Sequence, residues 1–179
     1  MENEMTDIHS PHIIGFDKQI KILKDVADQA QESIDYESAH NPEILRAIDI
    51  VERFLRKTHR LCYGGQAINA HLPKNYKIYD PTKALPDYDF FTPSTKKDLK
   101  ILIDMFKTAG YVEISAREGM HEGTIKIYIN YIPVADITEI DSKLYSILSK
   151  KEFRLDGISY LDANTLRMMM YLELSRPKG

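Results

Sequence analysis

Along the first third of the chain, apolar residues recur at helical spacing. Ile20, Leu23, Ala27, Ala30 and Ile34 mark one face of an amphipathic helix, after a weakly structured lead-in over residues 1–15. Tyr36 to His40 reads as a polar break. Asn41-Pro42 then opens a second helix, with a side-chain acceptor at the cap and a proline where no amide hydrogen is needed. Ile44, Ile48, Val51 and Leu55 carry its apolar stripe to about Thr58. Both stripes predict packing surfaces.

The pattern changes at Leu61. Leu61-Cys62-Tyr63 is a short apolar strand that runs into Gly64-Gly65, and Gln66 to His71 can start a helix. A polar, proline-bearing stretch follows from Pro73 to Pro86. Tyr88, Phe90 and Phe91 mark another strand, ended by Thr92-Pro93. Thr95 with Asp98 three residues later resembles a helix cap with an acidic partner. Ile101, Met105 and Ala109 predict that helix's buried face, and Gly110 its end. Tyr111 to Ala116 and Thr124 to Ile132 alternate as strands, joined through Gly119 and Gly123, and Val134 to Ile140 adds a further strand. A short helix from Ser142 to Ser149, a strand pair at Phe153 and Ile158 to Tyr160, and a helix capped by Asp162 complete the pattern. In that last helix Leu166, Met169, Met170 and Leu174 predict core contacts rather than a ligand box. Helices followed by mixed strands and helices describe an α+β fold, a sheet resting on helices. The division is an N-terminal helical region, 1–59, and a core, 60–179.

Composition narrows the function classes. The 179 residues suffice for one compact domain or a small one with a helical appendage. With 43% hydrophobic and 28% charged residues the chain is not a largely disordered one. No apolar run approaches the roughly 20 residues of a membrane-spanning helix, and the acidic start is not a secretory signal. A lone cysteine, Cys62, forms no internal disulfide and fits a reducing compartment. The net charge of −3 argues against a chain devoted to gripping phosphate backbones, so any contact with nucleic acid would be local or depend on other protein. Lys74, Lys77, Lys83, Lys96, Lys97, Lys100 and Lys107 are interleaved with aspartates and read as a solvated face. The histidines have no metal-ligand spacing, Gly64-Gly65 lacks the following Lys-Ser/Thr of a P-loop, and no serine sits in a nucleophile elbow. Zinc, P-loop and hydrolase chemistry are poor fits.

The most informative segment is Leu85-Pro86-Asp87-Tyr88-Asp89-Phe90-Phe91. Side chains two apart on a strand share a face, so Asp87 and Asp89 project together while Tyr88 and Phe90 pack behind. Two like charges side by side repel, and a divalent cation between them reverses that cost; Mg²⁺ prefers carboxylate oxygens, waters and substrate phosphate. Taken alone, the pair also fits an exposed strand end with solvated carboxylates. Gly64-Gly65, after a strand and before a helix, allows close backbone approach to a phosphate, or makes an ordinary turn. Asp136 is a third acid, set among apolar residues in Val134-Ala135-Asp136-Ile137. A salt bridge or an outward-facing position would also explain it.

As a set, Tyr63-Gly64-Gly65, Asp87-Tyr88-Asp89-Phe90 and Asp136 resemble the signature of the nucleotidyltransferase superfamily that includes DNA polymerase β. The longer string Tyr63-Gly64-Gly65-Gln66-Ala67-Ile68-Asn69, followed by Leu85 to Phe91, is similar to the poly(A) polymerases of large cytoplasmic DNA viruses, of mimivirus, poxvirus and asfarvirus type. The resemblance covers roughly residues 60 to 140. The spacer from Gly65 to Asp87 is longer than the superfamily norm, so 73–86 reads as an inserted loop.

The resemblance implies a polymerase-β-like mixed sheet and a polyadenylating enzyme that adds AMP from ATP to RNA 3′ ends. Gly64 and Gly65 would cradle the triphosphate, with Gln66 and Asn69 orienting phosphate or sugar. Asp87 and Asp89 would hold two divalent ions, Mg²⁺ or Mn²⁺, and Asp136 would share the one that activates the 3′-hydroxyl, with pyrophosphate released. It also implies action in the host cytoplasm, viral factory or virion, a chain that is either a fragment of a longer enzyme or a short stand-alone relative, and, by analogy, a homodimer or a processivity partner. A small nucleotidyltransferase acting on protein or tRNA, and a non-catalytic subunit of the same fold, are the rival expectations.

Overall fold

The structure is a computed structural model that describes residues 15–80, 82–83, 85–119 and 121–175. The lead-in expected over residues 1–14 lies outside the described residues. The described residues fall into two units, divided between Ile34 and Asp35.

The first unit holds most of helix α1 (Phe16–Ala39). Of the stripe read from the sequence, Ile20, Leu23 and Ile34 are exposed within this unit. The expected break at Tyr36 is absent. The helix runs on to Ala39, where Ser38 and Ala39 are buried, and His40 bonds through Nδ1 to the Tyr36 carbonyl.

The second unit is a seven-stranded mixed sheet with helices. Its strands are β1 (Leu61–Tyr63), β2 (Tyr88–Thr92), β3 (Ile114–Glu118), β4 (Thr124–Ile129), β5 (Ile132–Glu139), β6 (Phe153–Leu155) and β7 (Ile158–Tyr160), in the order β3-β4-β5-β2-β1-β7-β6. β2 runs antiparallel to β1 and parallel to β5, and β1 is parallel to β7. This is the α+β architecture expected of the sequence.

Helix α2 (Pro42–Thr58) supplies the main packing surface. Asn41 caps it through the Glu43 amide, Pro42 enters its first turn, and Ile44, Ala47, Ile48, Ile50, Val51, Phe54 and Leu55 are buried. Phe54 meets Phe90 of β2 at 5.6 Å between ring centres, and Glu52 accepts a 2.7 Å hydrogen bond from the Tyr88 hydroxyl. Tyr88 and Phe90 thus face α2, and alternation along β2 sends Asp89 and Phe91 to the other face.

Helix α4 (Thr95–Thr108) corrects one reading. Thr95 is not its cap: Ser94 holds that position without a side-chain bond, and the Thr95 amide donates to Glu139 Oε2 at 2.7 Å. Asp98 is fully buried. It accepts two bonds from Arg60, at 2.6 and 3.0 Å, and one from the Thr92 hydroxyl at 2.6 Å. The most buried line of α4 is therefore Asp98, Leu102 and Phe106, with Ile101, Met105 and Ala109 packed at its margin. Gly110 ends the helix at φ +93°, as its position suggests.

The continuous strand expected from Thr124 to Ile132 is instead a hairpin. Asn130 and Tyr131, at φ 49° and 68°, make a two-residue turn between β4 and β5. Helix α5 (Ser142–Ser149) follows, capped by Asp141, and Asp162 caps the last helix, α6 (Ala163–Leu174), through the Asn164 and Thr165 amides. In α6 only Leu166 is fully in the core. Met169 is partly buried, whereas Met170 and Leu174 are exposed, so the core expectation fails for those two. Among the described residues no helix is long and apolar enough to cross a membrane.

Candidate active site

The sheet face opposite α2 carries the acids. Asp89 lies on β2 directly across from Tyr63 of β1 on one side and Asp136 of β5 on the other. Asp87 is two residues earlier, exposed, just before the strand begins. The three carboxylates act on one another. Burial, then the charges of Asp87 and Asp136, push the Asp89 carboxyl up to about 7, against a smaller opposing pull from Lys126. Burial also raises Asp136, with Asp87 adding to the effect and the Lys126 bond and His121 opposing it.

Asp136 is divided between two environments. Its Oδ2 pairs with Lys126 Nζ at 3.1 Å, while its Oδ1 is buried and has no hydrogen-bond partner. An orphaned carboxylate oxygen beside two other acids costs free energy unless a cation or donor arrives. Among the described residues no three Asp, Glu, His or Cys side chains form a ready-made metal cage. Mg²⁺ needs none, because it binds through one or two carboxylates and keeps waters and substrate phosphates for the rest. The donor set, the unpartnered oxygen and the raised Asp89 carboxyl fit such an ion.

Beside the acids stands helix α3 (Gly64–His71). Tyr63 at its N-cap makes no side-chain cap bond, which leaves first-turn amide hydrogens without a side-chain acceptor. Gly64 has φ +68°, and a side chain there would overlap Asp89 Oδ2. The glycine thus sets both the turn and the close approach of backbone to carboxylate. At Gly65 a side chain would overlap the Tyr79 hydroxyl, so the inserted loop closes against the turn at this point.

Asn69 holds that loop. Its side-chain oxygen accepts from the Ile78 and Tyr79 amides at 2.9 and 3.4 Å, and its carbonyl accepts from Lys77 at 2.5 Å. Gln66 is half-buried, two residues into the helix. The lysines of the predicted solvated face are all exposed, and Lys77 serves this local bond.

Several residues near the acids were not singled out by sequence reasoning. The Tyr63 hydroxyl bonds to Thr138 at 2.8 Å, Thr138 to Thr124 at 2.7 Å, and the Tyr63 ring stacks on Phe91 at 4.0 Å. Burial and the neighbouring acids push the Tyr63 phenol up to about 12 although the Thr138 bond opposes them, so it remains a neutral hydroxyl at physiological pH. A cavity of about 330 Å³ opens at Gly64 and is lined also by Tyr63, Phe91, Thr138, His121 and Met169. Alternation along β4 and β5 was the available signal for the hydroxyls and Lys126, but it required the hairpin register.

Known proteins share both the sequence and this architecture. A protein of Acanthamoeba polyphaga mimivirus described as a poly(A) polymerase catalytic subunit is 31% identical over 134 residues, which is 72% of this chain and 22% of that protein. Its counterpart in African swine fever virus is 30% identical over 112 residues, 62% of this chain and 23% of that one. The crystal structure of the Megavirus polyadenylate synthase superposes with a TM-score of 0.69 at 26% identity, covering 97% of this chain and 35% of that one. The chain thus spans between about a fifth and about a third of the length of these relatives. Residues 49–179, which include the glycine turn and all three acids, match the sequence model of one family, and the chain accordingly belongs to the poly(A) polymerase catalytic subunit family.

Proposed function

We propose that this chain carries the nucleotidyl-transfer site of a polyadenylating enzyme, which adds AMP from ATP to the 3′ end of RNA and releases pyrophosphate. The observation behind this reading is that Asp89 and Asp136 lie side by side on neighbouring strands next to Gly64, with Asp87 close enough to act on both and Asp136 Oδ1 unpartnered. Two divalent ions held by the three acids would supply the positive charge that favours the attacking hydroxyl and the departing pyrophosphate.

The chain's own groups account for the rest by positioning. First-turn amides of α3 at Gly64 and Gly65 bind phosphate oxygens of ATP, helped by the positive end of the helix. Gln66 orients phosphate or sugar, and Asn69 acts indirectly, by fixing the Ile78–Tyr79 backbone against the turn. Asp136 orients the 3′-hydroxyl side of the reaction. The partly buried setting strengthens each charge interaction relative to water. The catalytic core assigned to residues 60–179, the ATP and RNA substrates, and action in the host cytoplasm, viral factory or virion all belong to this reading.

The test uses the full-length enzyme. Asp87→Ala and Asp89→Ala each abolish extension of a labelled RNA primer while leaving the circular dichroism spectrum unchanged. Extension at near-normal rates by either variant would remove the site assignment. Asp136→Asn lowers turnover more than ATP affinity; the reverse pattern would remove Asp136 from the hydroxyl side.

A further inference from the structure

Lys126 stands among the three acids because of an irregularity in the sheet. The turn at Asn130–Tyr131 pairs Ile129 with Ile132 and Tyr128 with Pro133. Continued without interruption, that register would set Lys126 opposite Ala135. The register shifts between Ile127 and Tyr128, one extra residue enters β5 at Val134, and Lys126 comes to oppose Asp136 instead. Such bulges re-aim side chains, and they are over-represented next to active sites.

The result is a cation held inside an acidic site. Its side chain and that of Asp136 are only 29% and 14% exposed, and the Lys126 Nζ to Asp136 Oδ2 distance is 3.1 Å. The Lys126 charge also acts on Asp89, and Asp87 acts on Lys126. Among the described residues no other Lys or Arg makes a salt bridge to any of these three acids.

We infer that Lys126 is the built-in counter-charge of the three acids: it holds them together when no ion is bound and tempers their pull on a divalent cation. This rests on the metal-site reading above. With Asp136 Oδ2 taken by the ammonium, Oδ1 is the oxygen left to a ligand. The three carboxylates would otherwise repel one another across neighbouring strands.

Lys126→Met keeps the stem and removes the charge; Lys126→Arg keeps the charge. Both are compared with the unmodified full-length protein by thermal melting, in EDTA and in Mn²⁺, and by electron paramagnetic resonance of free Mn²⁺. In EDTA, Lys126→Met melts below the unmodified protein, and Mn²⁺ removes most of that deficit. Its Mn²⁺ affinity rises by roughly three- to tenfold, the size expected when one positive charge about 6 Å from a divalent ion is deleted in a watery cleft. Lys126→Arg stays near the unmodified protein in both measurements.

A merely structural lysine would give Lys126→Met the same deficit with and without Mn²⁺ and an unchanged affinity, which would overturn the inference alone. An unmodified protein that binds no Mn²⁺ would overturn the metal-site reading and this inference together.

Discussion

Asp98 and Asp89 are both shielded from water in the same domain, and they are treated in opposite ways. Asp98, with a side chain 0% exposed, receives two bonds from Arg60 and one from Thr92, so its charge is matched by donors. Asp89 sits beside Asp136 and two residues after Asp87, under a glycine turn, with its carboxyl pushed up to about 7. A buried negative charge used for structure is saturated, because an unpaired one would cost several kcal/mol. At the Asp89 site negative charge is in surplus, a cost that a bound cation would offset under the proposed function.

The largest expected effect breaks the saturated side of this contrast. Asp98→Ala leaves Arg60 partly buried without its partner and should destabilise the domain by about 3–5 kcal/mol, read by urea denaturation. A loss below about 1 kcal/mol would mean that the pair is no better satisfied than a surface bridge.

A pH series sharpens the surplus side. Between the ordinary carboxyl value of 3.8 and about 7, folded Asp89 keeps a proton that the unfolded chain has released. The folded state therefore binds more protons in that window, and stability falls as pH rises through it, levelling off above. Melting in EDTA at pH 5 and pH 8 should show the unmodified protein losing more stability than Asp89→Asn. Equal losses would place Asp89 in an ordinary solvated setting.

The smallest effect concerns the glycine that joins turn and carboxylate. Gly64→Ala adds a side chain at φ +68° and against Asp89 Oδ2. It should cost about 1 kcal/mol or somewhat more in denaturation, and it should reduce primer extension further than that loss explains. A variant with full extension would show that the close approach is dispensable.

What the sequence disclosed depended on how local each determinant is. Asn41-Pro42, Gly110 and Asp162 punctuate their helices through neighbours a few residues away, and those boundaries were legible. Asp98 was misread as a capping partner because Arg60 lies 38 residues earlier in the chain, beyond any local pattern. Strand alternation suggested a shared face for Asp87 and Asp89, but β2 begins at Tyr88, so alternation reaches only Asp89. Their proximity to Asp136 depends on the parallel pairing of β2 with β5, which no spacing encodes. Lys126 was further hidden, since an undisturbed hairpin register would have opposed it to Ala135. Met170 and Leu174 were misassigned because apolar spacing marks a face without saying what meets it.

The position of β2 and β5 within the sheet has a consequence for how the Asp89–Asp136 pairing can be lost. Both are interior strands, with neighbours hydrogen-bonded on each side, while β3 and β6 form the rims. Rims can open and close on their own, whereas interior amides exchange with solvent only through openings that involve much of the domain. Asp89 and Asp136 therefore share the lifetime of the whole domain and cannot be dismantled by local fraying.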